Sequence, residues 1–445
     1  MPACRELTTL PIRKLSALIA QGAVSLNVLA TEALAAADEI RSSQCWLNLA
    51  GMDILEQAEL PLNRLPDGGP AQALSGIPVS VKDLMDVRGQ PTTCGSKFFG
   101  PAGIPASEDA VYVQLWRDRG ARLVGKTHLN EFAYGITGEN PWFGDCTLPG
   151  HPDRLTGGSS SGAAASVVGG AACVGLGTDT GGSLRVPAAL CGLVSFHSRD
   201  WFRDHRGVFP LAKSYDSLGW VNRHLGDLRF LANQIGPLPP APPAVEAGPM
   251  TVGFLEGNLL TGCNDAVLSG LTAFREFVRT TGLQVASQTT LGWETAFDTF
   301  APLQAREAWE VHRSRLERSP EGYSPAVRAR LEWGGRITDD QQAILQMNAR
   351  SLVAQMEVAF GPGDILILPA TPFTQLKTGA DHEVTRPRLL RLTAPASLGC
   401  WPVLTIPWRP AGENTGIAFQ CLARRGHEGR LIDLADHLSA RGYVV

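Results

Sequence analysis

Little in this chain points toward a membrane, a nucleic acid or a zinc site. No apolar run approaches 20 residues, so no segment reads as a bilayer span. Charge of one sign is lacking too: 39 Lys and Arg face 43 Asp and Glu, a net −4. Without a basic excess or a polybasic block, neither nucleic acid nor an anionic membrane surface is an expected partner. The opening MPACRELTTLPIRKL lacks the charged-then-apolar layout of a secretory signal. The nine cysteines are scattered singly with no CxxC pair. That argues against a disulfide framework or a zinc site, and for a reducing, cytoplasmic setting. There is no internal repeat and no low-complexity tail.

What the chain does have is apolar content. Of its 445 residues, 44% are apolar and 18% charged, enough to bury a large core. The length suits two or three average domains, or one large α/β domain. Leu10 to Ile40 carries Leu15, Leu18 and Ile19, then Leu26, Leu29, Ala33 and Leu34, at helical spacing, and reads as two helices. Ile77 to Val81 is a short β-branched run, hence a strand. Val111 to Arg119 reads as a helix ended by Gly120, and Ala121 to Gly125 as the strand after it. Strands alternating with helices at this interval favour an α/β sheet with helices on its faces. Residues 236–249, GPLPPAPPAVEAGP, form a proline-rich connector that most simply joins two halves of one fold. Beyond it, 264–360 reads as long helices and DILILP at 364–369 as a buried strand.

Glycine concentrates between Gly157 and Gly192, and that block carries the chemistry. Residues 156–187 read TGGSSSGAAASVVGGAACVGLGTDTGGSLRVP: two serine-bearing glycine clusters around an apolar run of small residues. Glycine lets backbone come close to a ligand, serines offer nucleophiles, and the amides between them offer donors. Tight turns around a buried alanine-rich helix would produce the same composition. A phosphate loop needs GxxxxGK[ST], and the block holds no lysine. A dinucleotide fingerprint needs GxGxxG, and Gly175, Gly177 and Gly181 are one residue too long. Gly158, Ser160 and Gly162 satisfy GxSxG, but a nucleophile elbow follows a buried strand, and His151 to Thr156 reads as a polar loop.

A serine nucleophile requires a base. No histidine lies inside the block; His151, His197 and His205 are nearest, and no lysine has a serine three positions before it. Lys82 ends the apolar strand in GIPVSVKDLMD. A lysine there is expensive unless paired or neutral, although a strand-end lysine reaching water is the commoner case. Burial among Ile77, Val79 and Val81 would penalise its charged form, and Asp83 would point to the opposite face of the strand.

Three segments together, GIPVSVKD at 76–83, TGGSSSGAAASVV at 156–168 and GTDTGGSLRVPAALCGL at 177–193, resemble the signature segments of the amidase signature family, serine amide hydrolases with a Ser-cis-Ser-Lys triad. The spacing agrees: Ser159 and Ser183 lie 24 residues apart, and Lys82 lies 77 before Ser159. Weaker echoes run from GARLVGKTHLNEFAYG to GIAFQCLARRGHEGRLIDLADHL, so the resemblance covers nearly the whole chain. It implies a single domain over 1–445, with a mixed, largely parallel sheet sandwiched between helices and 264–360 packed around the substrate entrance.

For the site, the resemblance implies Ser183 as nucleophile, Ser159 as the bridging serine held by a cis peptide bond, and Lys82 as base. Thr180, Gly181 and Gly182, with the Ser183 amide, match the oxyanion loop, and Asp179 and Arg185 would steady it as an ion pair. Ala133, Arg199 and Arg203 are candidate substrate contacts. Arg199 and Arg203 lie in HSRDWFRDHR at 197–206, where arginine could grip a carboxylate; pairing with Asp200 and Asp204 is the plainer alternative. The implied reaction cleaves a small-molecule amide through an acyl-Ser183 intermediate, with neither metal nor cofactor, and leaves a homo-oligomer open. Two departures stand out: Ser161 where the family often has glycine, and LVSFHSRDWFRDHRGVFPL at 193–211, a region that often shapes the substrate pocket. NEFAYGITGEN at 130–140 also resembles the ammonia-releasing subunits of tRNA-dependent amidotransferases, but their tyrosine- and arginine-bearing glutamine segment has no equivalent between 300 and 380. A catalytically silent scaffold is a third reading, and intact Lys82, Ser159 and Ser183 argue against it.

Overall fold

Helical and alternating apolar patterns divide the chain into twelve helices and fourteen strands among the residues described. The computed structural model describes residues 6–49, 73–99, 103–236, 250–290, 292–360, 365–410 and 414–443. The strands are β1 (Trp46–Leu49), β2 (Pro78–Lys82), β3 (Arg122–Thr127), β4 (Thr147–Leu148), β5 (His151–Leu155), β6 (Val174–Asp179), β7 (Val194–Ser198), β8 (Ser217–Asn222), β9 (Thr251–Glu256), β10 (Gln284–Thr289), β11 (Ile365–Pro369), β12 (Leu376–Lys377), β13 (Val403–Pro407) and β14 (Ala418–Leu422). Eleven form one sheet in the order β1-β3-β2-β6-β8-β7-β13-β14-β11-β9-β10. The sheet is mixed, with parallel pairing at β3–β2–β6 on one flank and β11–β9–β10 on the other, and antiparallel pairing through the centre.

Strands from before and after the proline-rich connector meet where β7 pairs with β13, so both halves share one sheet. Of the connector itself, residues 237–249 lie outside the described residues. The expected pair of N-terminal helices is present as α1 (Ile12–Ala20) and α2 (Leu26–Glu39), and the next helix is α3 (Val111–Arg117). The expected helical stretch 264–360 is broken. It holds α7 (Asp265–Thr280), α8 (Ala296–Arg318), α9 (Pro325–Gly335) and α10 (Asp339–Glu357), but β10 intervenes between α7 and α8. Gly282, at φ +86, turns the chain out of α7, and QVASQT then adds to the sheet edge beside β9. The polar segment before the glycine block is likewise a strand, β5, in a small separate sheet with β4 and β12. Its residues are largely exposed, which is why the sequence reads as a loop.

Two helices carry the block. Helix α4 (Ser161–Val168) and helix α5 (Arg185–Cys191) follow the two serine clusters and are almost wholly buried. They lie close against the sheet because the facing strand is stripped of side chains. A Cβ on Gly175 of β6 would stand 2.5 Å from the Ala163 carbonyl oxygen, and one on Gly177 would stand 2.7 Å from Ser160 Oγ. Ser80 of β2 and Ser166 of α4 join their hydroxyls at 2.8 Å across the same interface. The remaining helices are α6 (Leu228–Ile235), α11 (Thr385–Gly399) and α12 (Glu428–Ala440). No described helix is long and apolar enough to cross a membrane.

Candidate active site

Lys82 stands at the end of β2 with no exposed surface. Its Nζ lies 2.8 Å from Ser159 Oγ, 3.0 Å from Ser160 Oγ and 2.9 Å from Thr178 Oγ1. Among the described residues, its hydrogen-bond partners are these hydroxyls and include no carboxylate. Burial lowers its pKa from 10.5 to about 7, against the opposing fields of Asp179, Asp216 and Cys94. A charged amine in a dry site has lost its hydration, and three neutral hydroxyls replace only part of it. Asp83, next in sequence, turns away as strand alternation requires. It pairs with buried Lys126 at 2.8 Å and also binds the Thr93 hydroxyl, so its charge is spent elsewhere.

The peptide bond between Gly158 and Ser159 is cis. Asn130 props this turn from below: its Oδ1 accepts from Gly138 N at 3.1 Å, and Gly158 N donates to the Ile136 carbonyl at 2.9 Å. A Cβ on Gly158 would collide with Asn130 Oδ1, so no other residue fits. The second serine cluster is tied to the first through the backbone, Ser160 N donating to the Ser183 carbonyl at 3.1 Å. Among the described residues the Ser159 and Ser183 hydroxyls are not hydrogen-bonded to each other. Ser183 is 5% exposed and lines a tight cavity of about 10 Å³ with Ala133, Ile136, Gly181, Gln304 and Arg386.

The loop before Ser183 is held by Asp179. One carboxylate oxygen accepts from Gly182 N at 2.8 Å, and the other from Leu184 N at 2.9 Å and Arg185 N at 3.3 Å. Arg185 closes a two-pronged ion pair at 2.8 and 3.1 Å, and its remaining protons go to Thr393 O, Gln420 Oε1 and Ser397 Oγ. Burial alone would raise Asp179, but Arg185, then His197, and these hydrogen bonds hold it well below the usual carboxylate range. The Gly182 amide therefore points at Asp179, and what Gly182 supplies to the loop is its backbone conformation at φ +117. Thr180 is fixed from the other side, its hydroxyl donating to Asp216 at 2.6 Å. A Cβ on Gly181 would stand 2.9 Å from Leu390 Cδ2 and 3.6 Å from Gln304 Nε2, so this glycine keeps the cavity open.

Of the three expected substrate contacts, Ala133 lines the Ser183 cavity, in a left-handed conformation at φ +57. Arg199 and Arg203 do not line it. Arg199 Nη1 donates to the carbonyls of Lys213 and Asp216, and Arg203, 77% exposed, leans on Asp200. Arg206 pairs with Asp204, so the three arginines of 197–206 find their partners locally. The arginine at the cavity is Arg386, from a part of the chain with no motif to mark it. Ser160 and Thr178, which complete the cage around Lys82, lie inside the quoted segments but went unassigned, because only the pairing of β6 with β2 brings them to Lys82. The cavity shares Tyr134, Gly135, Ile136 and Arg386 with an outer cleft of about 400 Å³ bounded by residues 130–141, the start of α9 and the start of α11.

The Amidase family model matches residues 29–432. The chain is 30% identical over 435 residues to AtzE of Pseudomonas sp. (strain ADP), a 1-carboxybiuret hydrolase component, covering 92% of this chain and 94% of that one. It is 29% identical over 462 residues to a glutamyl-tRNA(Gln) amidotransferase component of Thermobifida fusca (strain YX), covering 94% and 89%. A crystal structure of an amidase superposes with a TM-score of 0.83 at 29% identity, over 97% of this chain and 100% of the other. The chain belongs to the Amidase family and is an amide-hydrolysing enzyme.

Proposed function

We propose that the chain cleaves the C–N bond of a small non-peptide amide through an acyl-Ser183 intermediate, with Ser159 relaying a proton to Lys82. The observation that carries this reading is the buried Lys82 amine, lowered to about 7 and touching the Ser159 hydroxyl at 2.8 Å. A neutral amine has two N–H bonds and one lone pair. Ser160 Oγ already donates to the Thr178 carbonyl at 3.2 Å, so it can only accept from Lys82. With Thr178 Oγ1 taking the second N–H, the lone pair is left facing Ser159. Ser159 can then give its proton to Lys82 while taking one from Ser183, after rotation of the Ser183 hydroxyl toward it; catalytic hydrogen bonds of this kind commonly tighten only with substrate bound. The amides of Gly181 and Ser183 are the donors available to a developing oxyanion, since that of Gly182 is engaged by Asp179. Collapse of the tetrahedral adduct expels ammonia or an amine, which takes the proton back from Lys82, and water then releases the acid.

The test is covalent labelling. A fluorophosphonate should modify Ser183, and Ser183→Ala should lose both labelling and amide turnover while keeping the parent's thermal melting curve. Labelling at Ser160 would overturn the assignment. Similarity to the amidotransferase component favours a second reading, release of ammonia from glutamine for use by a partner protein. Ammonia release by the purified chain alone, from small amides but not from glutamine, separates the first reading from the second.

A further inference from the structure

The throat of the site carries a positive charge with no anion to answer it. Tyr134, Gly135, Ile136 and Arg386 line both the Ser183 cavity and the outer cleft, so Arg386 stands where one opens into the other. Its Nη2 donates to Gln304 Oε1 at 3.4 Å, and its guanidinium lies 5.8 Å from the Tyr134 ring centre. Arg330 of α9 lies 5.8 Å from the same ring centre and donates to the Tyr134 carbonyl at 2.7 Å. Among the described residues no carboxylate lies within ion-pair distance of Arg386. Burial lowers its pKa to about 10, and Arg330 pushes the same way, while Tyr134 and Glu383 oppose them. Two like charges facing one ring are relieved by an anion placed between them.

Gln304 supplies a second donor. Its Oε1 is taken by Arg386, and its Nε2 lies beside Gly181 of the loop preceding Ser183. The rest of this wall, with Ile136, Leu211 and Leu390, is apolar. Glu131 on the cleft floor is already bound by Ser96, Trp142 and the Ser324 amide. Glu139, Asp381 and Glu383 on the outer cleft disfavour an anion that stops at the rim.

We infer that Arg386 anchors a carboxylate carried by the substrate, with Gln304 Nε2 as the second donor, so that the substrate class is a short amide bearing a free carboxylate near the scissile carbonyl. This deepens the reading of Ser183 and rests on it for turnover, though not for binding. A guanidinium holds a planar carboxylate through two parallel hydrogen bonds, which fixes the carbonyl's orientation as well as its distance.

Oxamate, malonamate and succinamate, each compared with its methyl ester, test the inference. At least one acid should exceed its ester in kcat/KM by about tenfold or more. In Arg386→Met that ratio should collapse by about 10- to 100-fold, mainly through KM, the range expected for losing a charge-assisted pair. Arg386→Lys should recover part of it, and Arg388→Met, on the exposed side of the same helix, should keep the parent's ratio. Binding of the three acids to Ser183→Ala by calorimetry is read independently of turnover, and Arg386→Met in that background should weaken it by a similar factor. Arg386-dependent binding with no turnover in the parent would sustain this inference and overturn that of Ser183. Acids that fail to bind Ser183→Ala, an ester preferred throughout, or a ratio unchanged in Arg386→Met would each overturn the inference itself.

Discussion

Replacing Lys82 with methionine probes the site without needing a substrate, because the amine's protonation leaves a mark on stability. Burial brings Lys82 from 10.5 to about 7 in the folded chain. The folded state therefore releases this proton near pH 7, while the unfolded chain keeps it to about pH 10.5. Between those values the unfolded state binds more protons, so this group's contribution to stability rises with pH. Below about pH 7 both states are protonated and the penalty is constant. Each pH unit inside the window is worth at most ~1.4 kcal/mol, and from pH 7 to pH 9 the parent gains about 2 kcal/mol that Lys82→Met lacks. Urea unfolding of both chains at pH 6, 7, 8 and 9 measures the difference, and subtracting the variant removes every other titrating group. On the proposed mechanism the same amine also sets the rate. Its neutral fraction rises about tenfold from pH 6 to pH 8, and acylation of Ser183 should rise with it. A parent-minus-variant stability that stays flat from pH 7 to pH 9, or an acylation rate indifferent to pH over 6 to 8, refutes a buried amine poised near neutrality.

Two further outcomes follow from the packing. Gly181→Ala places a methyl group 2.9 Å from Leu390 and 3.3 Å from Phe300, so it should lower kcat/KM by about tenfold or more, with a smaller effect on urea unfolding. Arg185→Leu removes the partner of the buried Asp179 carboxylate and should cost about 3–5 kcal/mol in urea unfolding, and a loss under 1 kcal/mol would show that backbone amides alone satisfy Asp179.

The glycine block was legible because its constraints are local. Gly158, Gly175 and Gly177 face neighbouring atoms at distances no Cβ tolerates, so the need for glycine is written into the block itself. The spacing of Lys82, Ser159 and Ser183 is likewise a property of the chain. Strand β10 was not legible, since QVASQT at a half-exposed sheet edge has no apolar alternation to separate it from the helices around it. For the basic run 197–206 the plainer alternative describes Arg203 and Arg206, which pair with Asp200 and Asp204 of the same run, while the backbone carbonyls that hold Arg199 depend on the fold.

Residue type and order point to an α/β chain and to a glycine-bracketed serine block. The serine–lysine pairing and the place of Ser183 come from the resemblance of three segments to the amidase signature family, whose spacing is a property of the chain. The tertiary structure decides which groups surround them. Thr178 and Ser160 cage Lys82 because β6 lies beside β2 and α4 packs across both. Arg386 and Gln304 reach the Ser183 cavity from helices more than a hundred residues downstream, brought there as α8 and α11 pack over the sheet. Contacts between distant segments depend on how whole layers dock, and the energy that docks them is spread over many apolar side chains. A motif can therefore name the bond-breaking groups, while the group that selects the substrate is set by packing.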